Sequence, residues 1–248
     1  MDALMIAASG GMRSRMESLD MLANNVANSG VAGFKADREF YNLYMSEQAA
    51  SGPDPALAGS MLPVIERPWT DLSQGTLVAT GSPSDLAISG RGFFVVDSPS
   101  GPLYTRNGNF HVGKSGQLET EQGYTVRVRR PDGSPATLDP SLPFEVTKEG
   151  VVRQGGQDIG KIEVADFDDS AALKKMGSTY FKVDASVVAR AAAGVEIKQG
   201  SLESANVPVA ESAVRLVSVM RQFEMLQRAM SLGADMNRRA VEEVAKVS

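Results

Sequence analysis

With a single histidine, His111, and no cysteine, this chain has few of the side chains that bind metals or attack carbonyl groups. One imidazole cannot build a His-based zinc or iron site, and without thiols there is neither a Cys nucleophile nor a disulfide framework. Carboxylates are the remaining candidates, since two of them suffice to cleave a glycosidic bond. Asp166, Asp168 and Asp169 cluster at the end of the apolar stretch Val164-Ala165. The plainer reading is a solvated turn ahead of a helical segment at 171–175, with Asp168 or Asp169 at its N-cap. Arg91-Gly92-Phe93-Phe94-Val95 approaches an RNA-recognition strand, but Phe94 stands where a small residue belongs. Gly90-Arg91-Gly92 begins a dinucleotide fingerprint that has no third glycine and runs into a strand instead of a helix. No Gly-x-Ser-x-Gly nucleophile elbow occurs. His111 reads as an exposed hairpin residue. These residues imply no catalysis, no bound metal and no cofactor.

Charge narrows the partners. Asp and Glu number 30 against 25 Lys and Arg, a net charge of −5, which is the wrong sign for a surface that neutralises phosphates, so nucleic acid is not expected. No 18 apolar residues run together, and a membrane-spanning helix is not expected. The first residues carry Asp2 where a secretory signal needs bases, and Gly10-Gly11 interrupts the apolar run. The expectation is a cytoplasmic protein or one exported without a cleaved peptide.

Proline placement then assigns the elements. All 12 Pro lie between Pro53 and Pro208, and 11 of them between Pro53 and Pro143. Pro costs roughly 3 kcal/mol inside a helix, so its absence from both ends is what two terminal helices require. Near the N-terminus Met5, Met12, Leu19 and Val26 recur every seven residues, with Leu22 beside them. Near the C-terminus Asn206 is placed to cap and Pro208 to open the first turn. Val209, Leu216, Phe223 and Met230 then recur every seven, and Ala213 and Met220 belong to the complementary series. A helix over 208–246 would be roughly 58 Å long at about 1.5 Å per residue, too long for a body of this size to cover. Its stripe packs inside its own chain or against neighbouring subunits, and its length favours neighbours as well.

The middle holds 19 of the 24 Gly, between Gly52 and Gly200, which suits short strands and tight turns. Gly92-Phe93-Phe94-Val95-Val96 is apolar throughout, as a fully buried strand would be. Asn107-Gly108 is the favoured dipeptide of a type I′ hairpin between flanking strands. The expected architecture is α+β. Long N- and C-terminal helices pair as a coiled-coil-like layer, and a central β-rich domain consists of short antiparallel strands. The expected divisions are 1–45 for the N-terminal helix and signature segment, 46–75 for an extended linker, 76–200 for the β-rich domain and 201–248 for the C-terminal helix.

Four motifs add a family likeness. Asn24, Asn25 and Asn28 followed by Gly33-Phe34-Lys35 form the first. Asp85-Leu86 with Gly90, Gly92, Phe93 and Phe94, followed by Tyr104-Thr105-Arg106-Asn107-Gly108, forms the second. Leu202-Glu203 with Asn206-Val207 is the third, and Arg221, Phe223 and Glu224 are the fourth. In this order they resemble bacterial flagellar rod and hook proteins along nearly the whole chain. Length and the central motifs resemble the proximal rod members most, with distal rod members next. The resemblance implies a structural subunit of the basal-body rod that transmits torque. It also implies export through the flagellar type III apparatus without a cleaved signal peptide, and a periplasmic position. The partners it implies are the chain itself, other rod proteins and the export apparatus, with no metal and no nucleic acid. The expected assembly interface is Met5, Met12, Leu19, Leu22, Val26, Val209, Leu216, Met220, Phe223 and Met230. Two other readings compete: a cell-wall-cleaving enzyme, which would need two carboxylates in one cleft, and a secreted adhesin.

Overall fold

Both proline-free ends fold as helices, α1 over Ala3–Ala27 and α2 over Val209–Val247. The computed structural model describes residues 3–39, 41–44, 62–65, 69–168, 173–184 and 187–247. Of the expected linker, 46–61 and 66–68 lie outside the described residues, as does Asp169. The chain divides into two units, one made of Met1–Ala27, Asp37–Trp69 and Pro208–Ser248, the other of Asn28–Ala36 and Thr70–Val207.

In the first unit α1 and α2 are joined by β1 (Asp37–Arg38), β2 (Tyr41–Tyr44) and β3 (Leu62–Ile65), with β2 and β3 antiparallel. The face of α1 that is buried carries Ser14, Ser18, Leu22 and Asn25, at helical spacing but mostly polar. Asn25 uses its amide in both directions: Nδ2 donates to the Asp37 carbonyl at 2.7 Å and Oδ1 accepts from the Asp37 N–H at 3.0 Å. In α2 the inner face is Ser212, Leu216, Val219, Phe223, Leu226, Met230 and Gly233, alternating steps of four and three. Gly11 of α1 faces Leu226, whose Cδ1 would sit 3.7 Å from a Cβ added there.

This corrects the α+β expectation of long terminal helices pairing as a coiled-coil-like layer. Antiparallel β-structure dominates the fold, the described residues contain two helices, and no coiled coil is present among them. A coiled coil needs an apolar a/d seam on both partners. On α1 the expected seam residues Met12, Leu19 and Val26 are only half-buried, and hydroxyl and amide groups fill the buried positions beside Leu22. On α2 the expected Val209 and Met220 are exposed, 47% and 48%, while Val219 is buried instead. The helices also differ in length, 25 residues against 39.

After β4 (Trp69–Thr70) and β5 (Leu77–Ala79), the second unit is built on β6 (Leu86–Ser89), β7 (Phe93–Ser98) and β8 (Gly101–Thr105). It continues through β9 (Phe110–Val112), β10 (Leu118–Thr120), β11 (Thr125–Val126), β12 (Val128–Arg129), β13 (Phe144–Val146) and β14 (Val151–Gln154). Then come β15 (Gln157–Ile162), β16 (Val164–Asp166), β17 (Leu173–Met176), β18 (Tyr180–Val183), β19 (Arg190–Ala191), β20 (Glu196–Gln199) and β21 (Ser201–Glu203). One sheet runs β17-β18-β8-β7-β11-β10-β9, with β16 beside β7 and β19 beside β16; a second runs β12-β15-β14-β13. The strands β20 and β21 return antiparallel to β6 and β5.

The apolar run in β7 is explained by burial on both faces. Phe94 and Val96 enter the larger core with Leu86, Phe110, Val152 and Ile197, while Phe93 and Val95 enter a second core with Tyr104, Phe167 and Phe181.

Three local expectations are corrected. Asn107-Gly108 is not a type I′ turn: β8 pairs with β7 and β18, β9 pairs with β10, and neither Asn107 nor Gly108 has positive φ. Gly108 is required for another reason, because a Cβ there would lie 1.6 Å from the Leu86 carbonyl oxygen. The segment expected as helix at 171–175 is strand where it is described, since Leu173–Met176 pairs with β18. Asn206 does not cap α2. The carbonyl of Pro208 accepts the first helical bond, from the N–H of Ser212 at 2.9 Å, and Asn206 is used elsewhere.

Candidate functional site

Glu203 ends β21 with its side chain fully buried. A carboxylate out of water must have its oxygens saturated by donors, and here it has three. Oε1 accepts from Lys35 Nζ at 2.6 Å and from the Gly75 N–H at 2.9 Å, and Oε2 accepts from Arg106 Nη1 at 3.0 Å. Lys35 is itself fully buried and also donates to the Ser73 carbonyl at 2.6 Å. Arg106 donates through Nη2 to the Gly90 carbonyl at 2.7 Å, and its guanidinium lies over the Phe93 ring, 5.3 Å from the centroid. Burial pulls the Lys35 ammonium below its ordinary pKa, and the Glu203 charge opposes that shift. Arg106 is lowered for the same reason and is opposed by the same carboxylate.

The backbone around this cluster is equally constrained. The Gly33 N–H donates to the Glu203 carbonyl at 2.7 Å, which places Phe34 and Lys35 directly beside β21. Gly33 has φ +69°, and a Cβ there would lie 2.2 Å from the Asn107 nitrogen. Phe34 is buried under Lys175, whose ammonium sits 4.1 Å from the ring centroid and donates to the Lys35 carbonyl at 2.8 Å. Asn206 repeats the device of Asn25: Oδ1 accepts from the Ala36 N–H at 2.7 Å, and Nδ2 donates to the Asp71 carbonyl at 2.7 Å. Asp85 closes the next loop, with Oδ2 accepting from Thr80 Oγ1 at 2.6 Å and its carbonyl accepting from the Gly200 N–H at 2.8 Å. Gly92, at φ +128°, passes so close to Val164 that a Cβ would lie 2.9 Å from its Cγ1.

The structure therefore draws Gly33, Phe34, Lys35, Gly90, Phe93, Glu203 and Asn206 to one buried node. Leu86 and Phe94 fill the adjoining core, and Leu202 and Val207 flank the node half-buried. The other motif residues lie apart from it. Arg221, Phe223 and Glu224 are on α2 and Asn24 and Asn25 on α1, in the first unit, and Asn28 lies just beyond α1. Of the expected interface residues, Met12, Leu19, Val26, Leu216, Phe223 and Met230 are half-buried, Leu22 is buried, Val209 and Met220 are exposed, and the Met5 side chain lies outside the described residues. Sequence reasoning missed Arg106 as a partner of Glu203, together with the backbone groups of Ser73, Gly75 and Gly90. Lys35 and Glu203 stand 168 residues apart, and no periodicity signals a contact of that range.

Chemically the node holds and does not react, because every Glu203 oxygen is occupied by donors and no solvent reaches it. Replacing Gly33 by Ala is expected to cost about 1–3 kcal/mol from the left-handed backbone alone, with the clash at Asn107 in addition. Gly81→Ala, at φ +75° with open space around it, is the control. Thermal melts of the two variants should differ, Gly33→Ala falling further. One phosphate-binding pattern also occurs, Gly108 and then, after four intervening residues, Gly113-Lys114-Ser115. Residues 110–112 are strand β9, and the turn closed by the Gly113 N–H on the Gln117 carbonyl leads into β10, so the pattern opens no helix.

Comparison with known proteins fits this geometry. Residues 87–164 match the family model described as the flagellar hook protein FlgE/F/G D1 domain, and residues 198–243 match the flagellar basal body rod FlgEFG protein C-terminal model. The flagellar basal-body rod protein FlgF of Caulobacter vibrioides is 34% identical over all of this chain and 99% of its own length. The flagellar basal-body rod protein FlgG of the same organism is 31% identical over 95% of this chain and 97% of its own. FlgF of Mesorhizobium japonicum is 29% identical over all of this chain and 99% of its own. With relatives 34% and 31% identical that cover nearly all of it, on both sides of the FlgF and FlgG division, the chain belongs to the flagellar basal-body rod protein family.

Proposed function

We propose that this protein is a subunit of the proximal part of the rod, joined to copies of itself and to other rod proteins through the apolar faces of its helices. As a member of the rod family it is a structural component of the flagellar basal body and not an enzyme. Its position in the proposed assembly is periplasmic, reached through the flagellar export apparatus without a cleaved signal. Torque passes from subunit to subunit, and the function is mechanical.

The observation that supports helix-mediated assembly is the outer face of α2. Val214, Met225, Leu232 and Met236 are exposed at 73%, 61%, 64% and 71%, roughly opposite the inner stripe on Leu216, Phe223 and Met230. Exposed large apolar residues aligned along one helix face mark a contact surface. A helix apolar on two opposite faces is one that is covered from both sides. Of the interface residues expected from sequence, Val209 and Met220 are exposed on a flank of α2, between the inner stripe and the outer one. Leu216, Phe223 and Met230, with Met12, Leu19, Leu22 and Val26 of α1, hold the helices in place for the outer face.

The proximal assignment rests on the full-length coverage by FlgF relatives, against 95% coverage by the FlgG relative of the same organism. Expression in two strains, one lacking its proximal rod gene and one lacking its distal rod gene, tests it. Swimming is expected to return in the first strain only; rescue of the second alone would assign the chain to the distal rod.

A further inference from the structure

The second unit carries a groove of about 900 Å³ that the rod reading does not use. Its apolar lining includes Val151, Ile162, Val164, Val195 and Ile197. Most charges along it are already engaged. Arg129 holds Glu163 at 2.9 Å, Arg190 holds Asp168 at 2.7 Å, and Asp158 is held by Arg153 at 2.6 Å. Lys161 and Arg130 make no salt bridge among the described residues, Arg130 reaching only the Thr137 hydroxyl at 3.5 Å, while the Glu149 carboxylate is held by hydrogen bonds from Thr147 and its own backbone. The groove is thus apolar inside with two cations outside any salt bridge at its edge, on a chain whose net charge is −5.

The same unit carries a feature of complementary chemistry. Leu142 is 51% exposed between Pro140 and Pro143, two residues after a run that ends in Asp139-Pro140. Gln154, at the end of β14, clamps this loop: Nε2 donates to the carbonyls of Asp139 and Leu142 at 2.9 and 3.0 Å, and Oε1 accepts from the Asp139 N–H at 2.8 Å. Ser141 donates to Asp139 Oδ1 from both its N–H, at 2.9 Å, and its hydroxyl, at 2.6 Å. With two prolines and a buried glutamine fixing it, the loop loses little conformational entropy on docking. It presents a leucine tip beside a carboxylate. Val151, which lines the groove, opens the strand that Gln154 closes, so the loop and the groove belong to opposite ends of β14.

We propose that the groove receives the 139–143 loop of a second copy of this chain, with Leu142 seated on the apolar lining and Asp139 facing Lys161 and Arg130. The two surfaces are different patches of one molecule, so the contact is head-to-tail. Repeated, it extends along a stack unless the rotation closes a ring. It joins β units to each other and is separate from any contact made by the helices.

The absence of cysteine makes the test clean. Leu142→Cys and Ala192→Cys are made singly in the full chain, mixed in equal amounts and oxidised, with melts matching the parent as the check on folding. Cross-dimers between the two variants are expected to exceed either self-dimer several-fold. Adding Lys161→Glu and Arg130→Glu to the Ala192→Cys chain is expected to lower that yield about fivefold. Cross-dimers no more abundant than self-dimers, or a yield unchanged by the two charge reversals, would overturn the proposal.

Discussion

Glu203→Ala is expected to destabilise the β unit by about 3–5 kcal/mol, because it leaves the buried charges of Lys35 and Arg106 without their carboxylate. The thermal midpoint should fall by roughly 10 °C for a chain of this size. The loss reaches beyond one ion pair. Glu203 also accepts from the Gly75 N–H, and its own carbonyl takes the Gly33 N–H, so the segments at 33–36, 73–75 and 106 are all fastened to β21 through this residue. Near-ultraviolet circular dichroism follows the unit through its tyrosines. The double variant Lys35→Met with Glu203→Gln should lose clearly less than the sum of the two single variants, since the two groups interact directly. Additive losses, or a drop below about 1 kcal/mol for Glu203→Ala, would show that the cluster does not hold the unit together.

Phe223→Asp is expected to abolish swimming while leaving the β unit folded. Phe223 lies mid-way along the inner stripe of α2, between Leu216 and Met230. A carboxylate there must either be buried without a partner or turn the helix away from α1, and both displace the exposed stripe on Val214, Met225 and Leu232. Every subunit in a rod would carry the same fault, so small losses at single contacts multiply along the assembly. Cells carrying only this variant should swim at background level, and the purified variant should keep the parent's near-ultraviolet spectrum. Normal rods on electron micrographs of such cells would remove the helix faces from the interface.

Legibility from sequence followed the range of each signal. The Phe-Phe-Val-Val run was readable because burial on both faces of β7 leaves no polar position in it. Proline exclusion located both helices for an equally local reason. The stripe on α2 was half readable: the series Leu216, Phe223, Met230 lies on the inner face, but its companions are Ser212, Val219 and Leu226 instead of Ala213 and Met220. A helix apolar on two sides offers two companion series, and periodicity alone does not choose between Val219 and Met220. Asn107-Gly108 misled because its glycine admits the Leu86 carbonyl, a tertiary need that outweighs the local turn preference. The coiled-coil expectation failed on α1, where hydroxyl and amide groups fill the buried positions around Leu22. The node at Glu203 had no signal of its own, since its contacts join residues 97 and 168 positions away.

The most direct measurement on the outer face of α2 is amide hydrogen exchange over residues 209–240, made on free subunits and on isolated rods. Exchange at Val214, Val217, Met225 and Leu232 is expected to be faster in the free subunit, where no packing on the outer face opposes local opening of the helix, and strongly slowed in the rod. Equal protection in the two states would contradict the claim that neighbouring subunits cover this helix.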